Sequence, residues 1–296
     1  MKSSKVHKAG FVNIIGKPNA GKSTLMNGLV GENLSIITSK AQTTRHRILG
    51  IVNGDNFQIV FSDTPGFIKP AYKLHNSMMK FVETSLEDAD VVLFLVDVKE
   101  KEPDQDLINR IKMVEVPVIL LLNKVDLIPE ERVPVELNKW KSLISPVESL
   151  PIAAIGRYNL DKVFQLILKY LPENPPFYPK DQLTDQPERF FVAEIIREKI
   201  FKNYRQEIPY STEVKIESFK EEERIIRISA LIFVERKTQK SILIGKGGEM
   251  LKKVGTEARL DMEEFLDKKV FLEMHVKVKE GWRDNPNQLR NFGYEL

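Results

Sequence analysis

The stretch Gly16-Lys17-Pro18-Asn19-Ala20-Gly21-Lys22-Ser23 constrains this chain more than any other, because it fits the pattern of a glycine, four free positions, then Gly-Lys-Ser. An apolar run over residues 10–15 enters it as a buried strand, and residues 23–30 leave it as an amphipathic helix. Strand, glycine loop and helix in that order predict a phosphate cradle. Glycines at both ends let the backbone curl, so that N–H groups from Gly16 through Asn19, Ala20 and Gly21 to Thr24 face a phosphate, and the helix N-terminus adds its partial positive charge. Lys22 would reach the outer phosphates, and Ser23 would offer its hydroxyl to a magnesium ion between them. The competing reading is an ordinary glycine turn with a capping serine, and the motifs downstream weigh against it.

After the cradle helix, residues 35–47 are polar and carry neither a helical nor a strand period, which predicts a loop over the nucleotide. A threonine of this loop, Thr43 or Thr44, would add a second hydroxyl to the magnesium and sense the terminal phosphate. Residues 47–52 and 57–61 alternate as two strands joined by the turn Asn53-Gly54-Asp55. The second delivers Asp63-Thr64-Pro65-Gly66, where Asp63 would hold magnesium through water and Gly66 would offer its N–H to the terminal phosphate. The continuous apolar runs 91–96 and 118–122 suit parallel strands covered on both faces, with helices over 104–113, 133–144 and 160–171. This alternation predicts an α/β fold, a doubly wound P-loop domain with its ligand at the C-terminal edge of the strands.

The run 118–122 ends in Asn123-Lys124-Val125-Asp126. A carboxylate accepts two hydrogen bonds from the N1–H and exocyclic amine of guanine, whereas adenine presents no such pair, so Asp126 argues for GTP over ATP. Asn123 would brace its loop against the cradle, and the Lys124 stem would lie on the base face.

At 296 residues the chain is long for one core, and a boundary is expected in the proline-rich residues 173–188. The expected division is a nucleotide domain over 1–172, that linker, and a second domain over 189–296. Beyond the linker a helix is expected over 190–203, strands over 211–219 and 224–234, helices over 238–244 and 249–266, and a strand over 270–278. Gly245-Lys246-Gly247-Gly248 separates the last two helices, and glycines there let a sugar-phosphate chain approach exposed N–H groups. Arg236, Lys237, Lys240, Lys246, Lys252 and Lys253 crowd the same region against Glu235 and Glu249, which collects positive charge where phosphate would lie. Ile242 and Ile244 are candidates for an apolar floor under bases, with core packing as the blander alternative. Trp282 would stack on a ligand or pack in its own domain.

The net charge is only +3, so no general affinity for nucleic acid follows and DNA is not expected as a partner. The absence of cysteine removes disulfides, thiolate metal sites and cysteine nucleophiles together. No apolar run approaches the ~18 to 20 residues that span a bilayer, and the basic start from Met1 to Lys8 lacks a signal-peptide core, so a cytoplasmic location is expected.

The motifs resemble those of translation-factor-related GTPases. Lys40-Ala41-Gln42-Thr43-Thr44-Arg45-His46-Arg47 with Asp63-Thr64-Pro65-Gly66 is similar to the bacterial Era family in particular. The second half resembles that family's α+β type II KH domain, and the tail from Gly281 to Leu296 its end. By this resemblance Thr44 is the magnesium ligand of the loop, with Ser23 and Asp63 completing the set. Ala153 and Ala154, where the family usually has Ser-Ala, form the base-contacting loop, Ala154 offering its N–H to the guanine oxygen. Asn19 matches the residue by which related GTPases hold potassium, which makes Asn19, Lys22, Thr44 and Gly66 the catalytic candidates. Where many GTPases carry a water-orienting glutamine this chain has Phe67, followed by Ile68, so slow intrinsic turnover is expected. The resemblance implies a monomeric, magnesium-dependent GTPase that binds the 3′ region of 16S ribosomal RNA and assists 30S subunit assembly. Peripheral contact with the cytoplasmic face of the inner membrane would fit an alternative, a membrane- or envelope-associated GTPase whose second domain is an adaptor. An ATP-driven RNA helper is disfavoured by Asp126.

Overall fold

A computed structural model describes residues 6–294 of the chain. Met1 to Lys5 of the basic start, and Glu295 and Leu296 of the tail, lie outside the described residues. The chain divides into two compact units. The first holds residues up to Ser35, Thr44–Lys69 and Met78–Asp185, and the second holds Ile36–Thr43, Pro70–Ser77 and the chain from Gln186 onward.

The first unit, with the start of α2 up to Ser77 counted in the second, alternates strands and helices in the order β1 (Lys8–Ile15), α1 (Lys22–Val30), β2 (Ile48–Gly54), β3 (Phe57–Asp63), α2 (Lys73–Glu87), β4 (Val91–Asp97), α3 (Gln105–Lys112), β5 (Val118–Asn123), α4 (Val133–Ile144), β6 (Glu148–Pro151) and α5 (Leu160–Tyr170). They form a six-stranded sheet ordered β2-β3-β1-β4-β5-β6. Every pair is parallel except β2 with β3, which the Asn53-Gly54-Asp55 turn joins as a hairpin. β5 is buried from end to end and β4 up to Asp97, as parallel strands covered by helices on both faces must be. Because β1 lies between β3 and β4, strand order reverses at its end, and the turns after β1, β3, β4, β5 and β6 open on one edge.

Three features of this unit depart from the expected layout. Helix α2 stands where no helix was expected, and its face of Leu74, Met78, Met79 and Val82 is buried at the spacing of a helix. Strand β6 is four half-buried residues with two polar side chains, too short for a period. Residues 173–185, expected to act as a linker, are bonded onto the first unit. Buried Gln58 accepts from Phe177 N and Tyr178 N (2.7 and 2.9 Å) through Oε1 and donates to Tyr178 O (2.8 Å) through Nε2. Further along, Ile51 N donates to Leu183 O (2.7 Å), and Gly50 forms a bridge with Thr184. A proline-rich strand cannot build its own ladder, so its polar backbone is satisfied by Gln58 and by edge strand β2, which is thereby covered.

The second unit adds α6 (Glu188–Asn203), α7 (Ile208–Ser211), β7 (Glu213–Glu221), β8 (Ile225–Val234), α8 (Lys237–Ile244), α9 (Glu249–Leu266), β9 (Lys269–Val278) and α10 (Pro286–Asn291). Its sheet runs β7-β8-β9, with β7 antiparallel and β9 parallel to the central strand. The core follows the periods of the sequence: Val192, Ile196 and Ile200 of α6 and Val254, Ala258 and Met262 of α9 recur every four residues, and Ile226, Ile228, Ala230, Ile232 and Val234 of β8 recur every two. Each of the larger aliphatic side chains contributes about 1.5–3 kcal/mol by leaving water. A buried polar cluster sits beside it, in which Arg197 Nε donates to Glu194 Oε1 (2.7 Å) and Tyr294 Oη to Glu213 Oε2 (2.8 Å). Burial opposes the Arg197 charge, but Glu194, then Glu213 and Tyr294, more than offset it and hold its pKa above the ordinary value. Trp282 is fully buried, donates from its indole to Ser211 O (3.1 Å) and meets Phe292 edge-on, so it packs in its own unit.

Candidate functional site

The cradle sits at the end of β1, and its backbone leaves no room for side chains where the glycines stand. A Cβ on Gly16 would lie 2.3 Å from Leu95 O, one on Gly66 2.6 Å from Pro18 N, and one on Gly21 2.4 Å from Asn123 Nδ2. Gly21 also has φ +101°, a conformation that side chains disfavour. Asn19 takes φ 63° and is exposed, while Ala20 is buried under the turn. Lys22 and Thr24 begin α1.

Ser23, Thr44 and Asp63 come from three different segments and meet at one point. Ser23 Oγ donates to Asp63 Oδ2 (2.7 Å) and pairs with Thr44 Oγ1 (2.9 Å), and Thr44 Oγ1 is 3.5 Å from the same carboxylate oxygen. Thr43 instead faces back into its own loop, against Thr38 and Lys40 O. Burial pushes the Asp63 carboxyl above the usual range, while Lys22 and the hydroxyls of Ser23 and Thr44 pull it down. Lys22 Nζ is folded onto Lys17 O (3.1 Å) and Gly16 O (3.3 Å). Burial lowers its pKa to about 8, against the attraction of Asp63. Arg45 is buried, and Arg47 is held by Ser62 and Asp88, so neither is free to act as an arginine finger.

Asn123 ties this cradle to the base end: Nδ2 donates to Ala20 O (2.7 Å), and Oδ1 accepts from Ala154 N (3.0 Å). The Ala154 N–H, expected at the guanine oxygen, is bonded to Asn123 in this structure. Lys124 takes φ 64° and reaches Asn19 O and Asp97 (both 2.6 Å), and Asp126 follows it exposed to solvent. Without a serine at Ala153, the loop is closed by backbone bonds between Ala153 and Tyr158, and by Asn159 Nδ2 to Pro151 O (2.9 Å).

In the second unit Gly245, Gly247 and Gly248 all have positive φ (75°, 59° and 84°). Lys246 projects into solvent, with Arg236, Lys237, Lys252 and Lys253 also exposed and Lys240 partly so. Beside the loop lies a groove of about 390 Å³ whose lining includes Leu251, Lys252, Gly255, Arg259, Leu272 and Met274. Ile242 is 51% exposed, Ile244 packs against the core as the blander alternative had it, and the apolar lining of the groove itself comes from α9 and edge strand β9. No contiguous stretch of sequence signals that lining, because its residues come from two elements, α9 and β9.

A guanine-specific P-loop fold joined to a glycine-loop helical module defines an RNA-type GTPase class by its architecture. Comparison with known proteins places the chain within that class. Residues 11–124 match the model of a 50S ribosome-binding GTPase, and residues 207–283 that of a KH domain. The GTPase Era of Clostridium kluyveri is 44% identical over 291 residues, 97% of this chain and 99% of that protein. Two crystal structures are 43% identical with a TM-score of 0.94, each covering 98% of this chain and 100% of the other. One is Era in complex with MgGDPNP and nucleotides 1506–1542 of 16S ribosomal RNA, the other an Aquifex aeolicus Era tyrosine-to-alanine variant bound to GDP.AlF4−. This chain belongs to the Era family of GTPases. It is a GTPase, and the alternative of an envelope regulator with an adaptor domain is not favoured.

Proposed function

We propose that this GTPase is a switch that binds the 3′ region of 16S ribosomal RNA along the groove of its second unit and assists assembly of the 30S subunit. The observation that carries the reading is the groove itself: an apolar floor, a glycine loop open to a backbone, and lysines along one side, in a relative of a protein crystallised with that RNA segment. The work is cytoplasmic in this reading. Among the described residues no helix is long and apolar enough to cross a membrane.

Magnesium fits the cradle. Asp63 Oδ1 is buried without a hydrogen-bond partner, a costly state that a cation or its water would relieve, and two hydroxyls face the other carboxylate oxygen. Ser23 and Thr44 would hold the ion directly and Asp63 through water, and the ion would neutralise charge on the phosphates. The cradle N–H groups and the Lys22 ammonium bind the phosphates, Gly66 N–H the terminal one, and Asp126 the guanine edge. Phe67 and Ile68 carry no group to orient water, so intrinsic turnover is slow. Asn19, exposed beside the cradle, would place potassium between the phosphates. Turnover then rises in potassium over sodium and falls on Asn19→Ala; equal rates in both salts refute that assignment alone.

The RNA reading is tested at Gly247. A Cβ there meets nothing within 4 Å, and its φ of +59° is one that aspartate tolerates, so Gly247→Asp adds charge without a clash. Binding of a single-stranded 16S 3′ fragment should fall at least about tenfold with GDP affinity unchanged. Unaltered RNA binding would place the RNA elsewhere.

A further inference from the structure

Lys40 belongs to the segment Ile36–Thr43, which the second unit contains. Its backbone is locked in a small turn: Lys40 N donates to Thr38 Oγ1 (3.2 Å), Thr43 Oγ1 donates to Lys40 O (2.8 Å), and the two threonine hydroxyls pair at 2.6 Å. The side chain leaves this turn, and its ammonium donates to the carbonyls of Phe201 and Tyr204, where α6 ends. Tyr204 N bonds to Ile200 O (3.0 Å), the last backbone bond of that helix, so Phe201 O is an end carbonyl without an intrahelical partner. An ammonium satisfies it and complements the negative end of the helix dipole. Partial burial, then neighbouring Arg205, lowers the Lys40 pKa, and the two carbonyls hold the ammonium against that like charge.

A second set of bonds steadies the same turn within the second unit. Gln42 Oε1 pairs with His75 Nε2 (3.1 Å), and Ala71 N donates to His75 Nδ1 (3.2 Å), which leaves Nε2 as the protonated nitrogen. The His75 ring stacks on Tyr72 (3.8 Å), Arg283 covers that ring (4.7 Å), and Lys73 N donates to Asp284 (3.1 Å). One residue beyond the turn stands Thr44, in the cluster with Ser23 and Asp63.

We propose that Lys40 is a positioning residue for the metal site: by capping α6 it fixes the 38–43 turn and hence Thr44, and the nucleotide state is reported to the end of α6 through the same contact. This rests on the GTPase reading of the cradle and is independent of which RNA binds. Thr44 in the cluster and Lys40 on α6 occur together, so withdrawal of Thr44 when the terminal phosphate is lost frees the helix end.

The test is amide hydrogen exchange of the full chain, with no RNA present, in GDP and in a non-hydrolysable GTP analogue with magnesium. Amides at residues 203–206 should exchange at least about fivefold more slowly with the analogue, the lower range of ordinary coupling, and Lys40→Met should bring the two states within about twofold. The magnesium needed for half-maximal analogue binding should rise about fivefold in that variant, Lys40→Arg should recover most of both effects, and GDP affinity without magnesium reports that the variant is folded. A nucleotide dependence retained in full by Lys40→Met, or absent from the unaltered protein, overturns the proposal. Failure of the Gly247→Asp test would leave these readouts untouched.

Discussion

In the cradle of the first unit Lys22 is buried and Ser23, Thr44 and Asp63 already hold one another, whereas in the second unit Lys246, Lys252 and Lys253 stand in water above a floor of Leu251, Leu272 and Met274. Both surfaces suit phosphates, but they spend different physics on them. The cradle binds by geometry fixed before the ligand arrives, so it tolerates no misplaced atom and is weakly screened by salt. On the proposed RNA reading the groove would bind by solvent-exposed charges over an apolar strip, so it should accept many substitutions and respond strongly to salt.

The largest break in this comparison comes from Gly21→Ala. The new Cβ would fall 2.4 Å from Asn123 Nδ2 at a φ of +101°, straining the cradle and displacing the side chain that ties it to the base loop. A cost of about 3 kcal/mol, from backbone strain and the lost bond, lowers GDP affinity by roughly a hundredfold. RNA binding without nucleotide should stay within about twofold, and calorimetry with GDP against RNA titration compares the two. Comparable loss of both would mean that the surfaces are not separable.

Lys246→Glu and Lys252→Glu make the reciprocal break. Each should weaken the 16S 3′ fragment by about tenfold and flatten the slope of log affinity against log salt by roughly one unit, leaving GDP unaffected. An unchanged slope would show that the groove holds RNA without these charges.

A smaller effect sharpens the contrast through pH. In the ligand-free protein the Lys22 ammonium loses its proton as pH rises through about 8, and a bound phosphate restores it. GDP affinity should therefore fall above pH 8, by less than about tenfold at pH 9, with proton uptake on binding seen as a buffer-dependent heat. Folding stability has the opposite sign: the native state binds fewer protons than the unfolded one between about 8 and 10.5, so stability without ligand rises across that window. Binding heat independent of the buffer at pH 8 would refute the shift.

Gly255→Ala is the mildest. Its Cβ would sit 2.7 Å from Met274 Cε, the free end of a flexible side chain, which it would push into the groove. Helix α9 should gain about 0.5–1 kcal/mol, read as a higher unfolding temperature, while RNA affinity falls two- to threefold. A rise in RNA affinity would mean that Met274 shields the floor instead of forming it.

What was legible in the sequence follows from how local each feature is. The strand, glycine loop and helix around residues 16–23, the apolar runs of β4 and β5, and the bounds of α4 and α9 are written in contiguous residues. Leu74, Met78, Met79 and Val82 carry the α2 spacing too, although no helix was expected there. The groove floor was not legible, because Leu251 and Met274 become neighbours only when α9 packs beside β9. Nor was the strap at 173–185, since in sequence only Gln58, a polar residue near the start of a buried strand, stands for the amide that holds it. Lys40 was not legible either: nothing near it in sequence points to the end of a helix 161 residues away.

That separation also sets a timetable for the growing chain. The strands that carry the cradle are complete once β5 has been made, but the partners of Lys40 follow 161 residues after it, and Asp284 follows Lys73 by 211. At about 5–20 residues per second, the segments that carry Lys40 and Lys73 wait roughly 10 to 40 seconds for their anchors. A nascent chain can thus hold a nucleotide well before it has anything to tell with it.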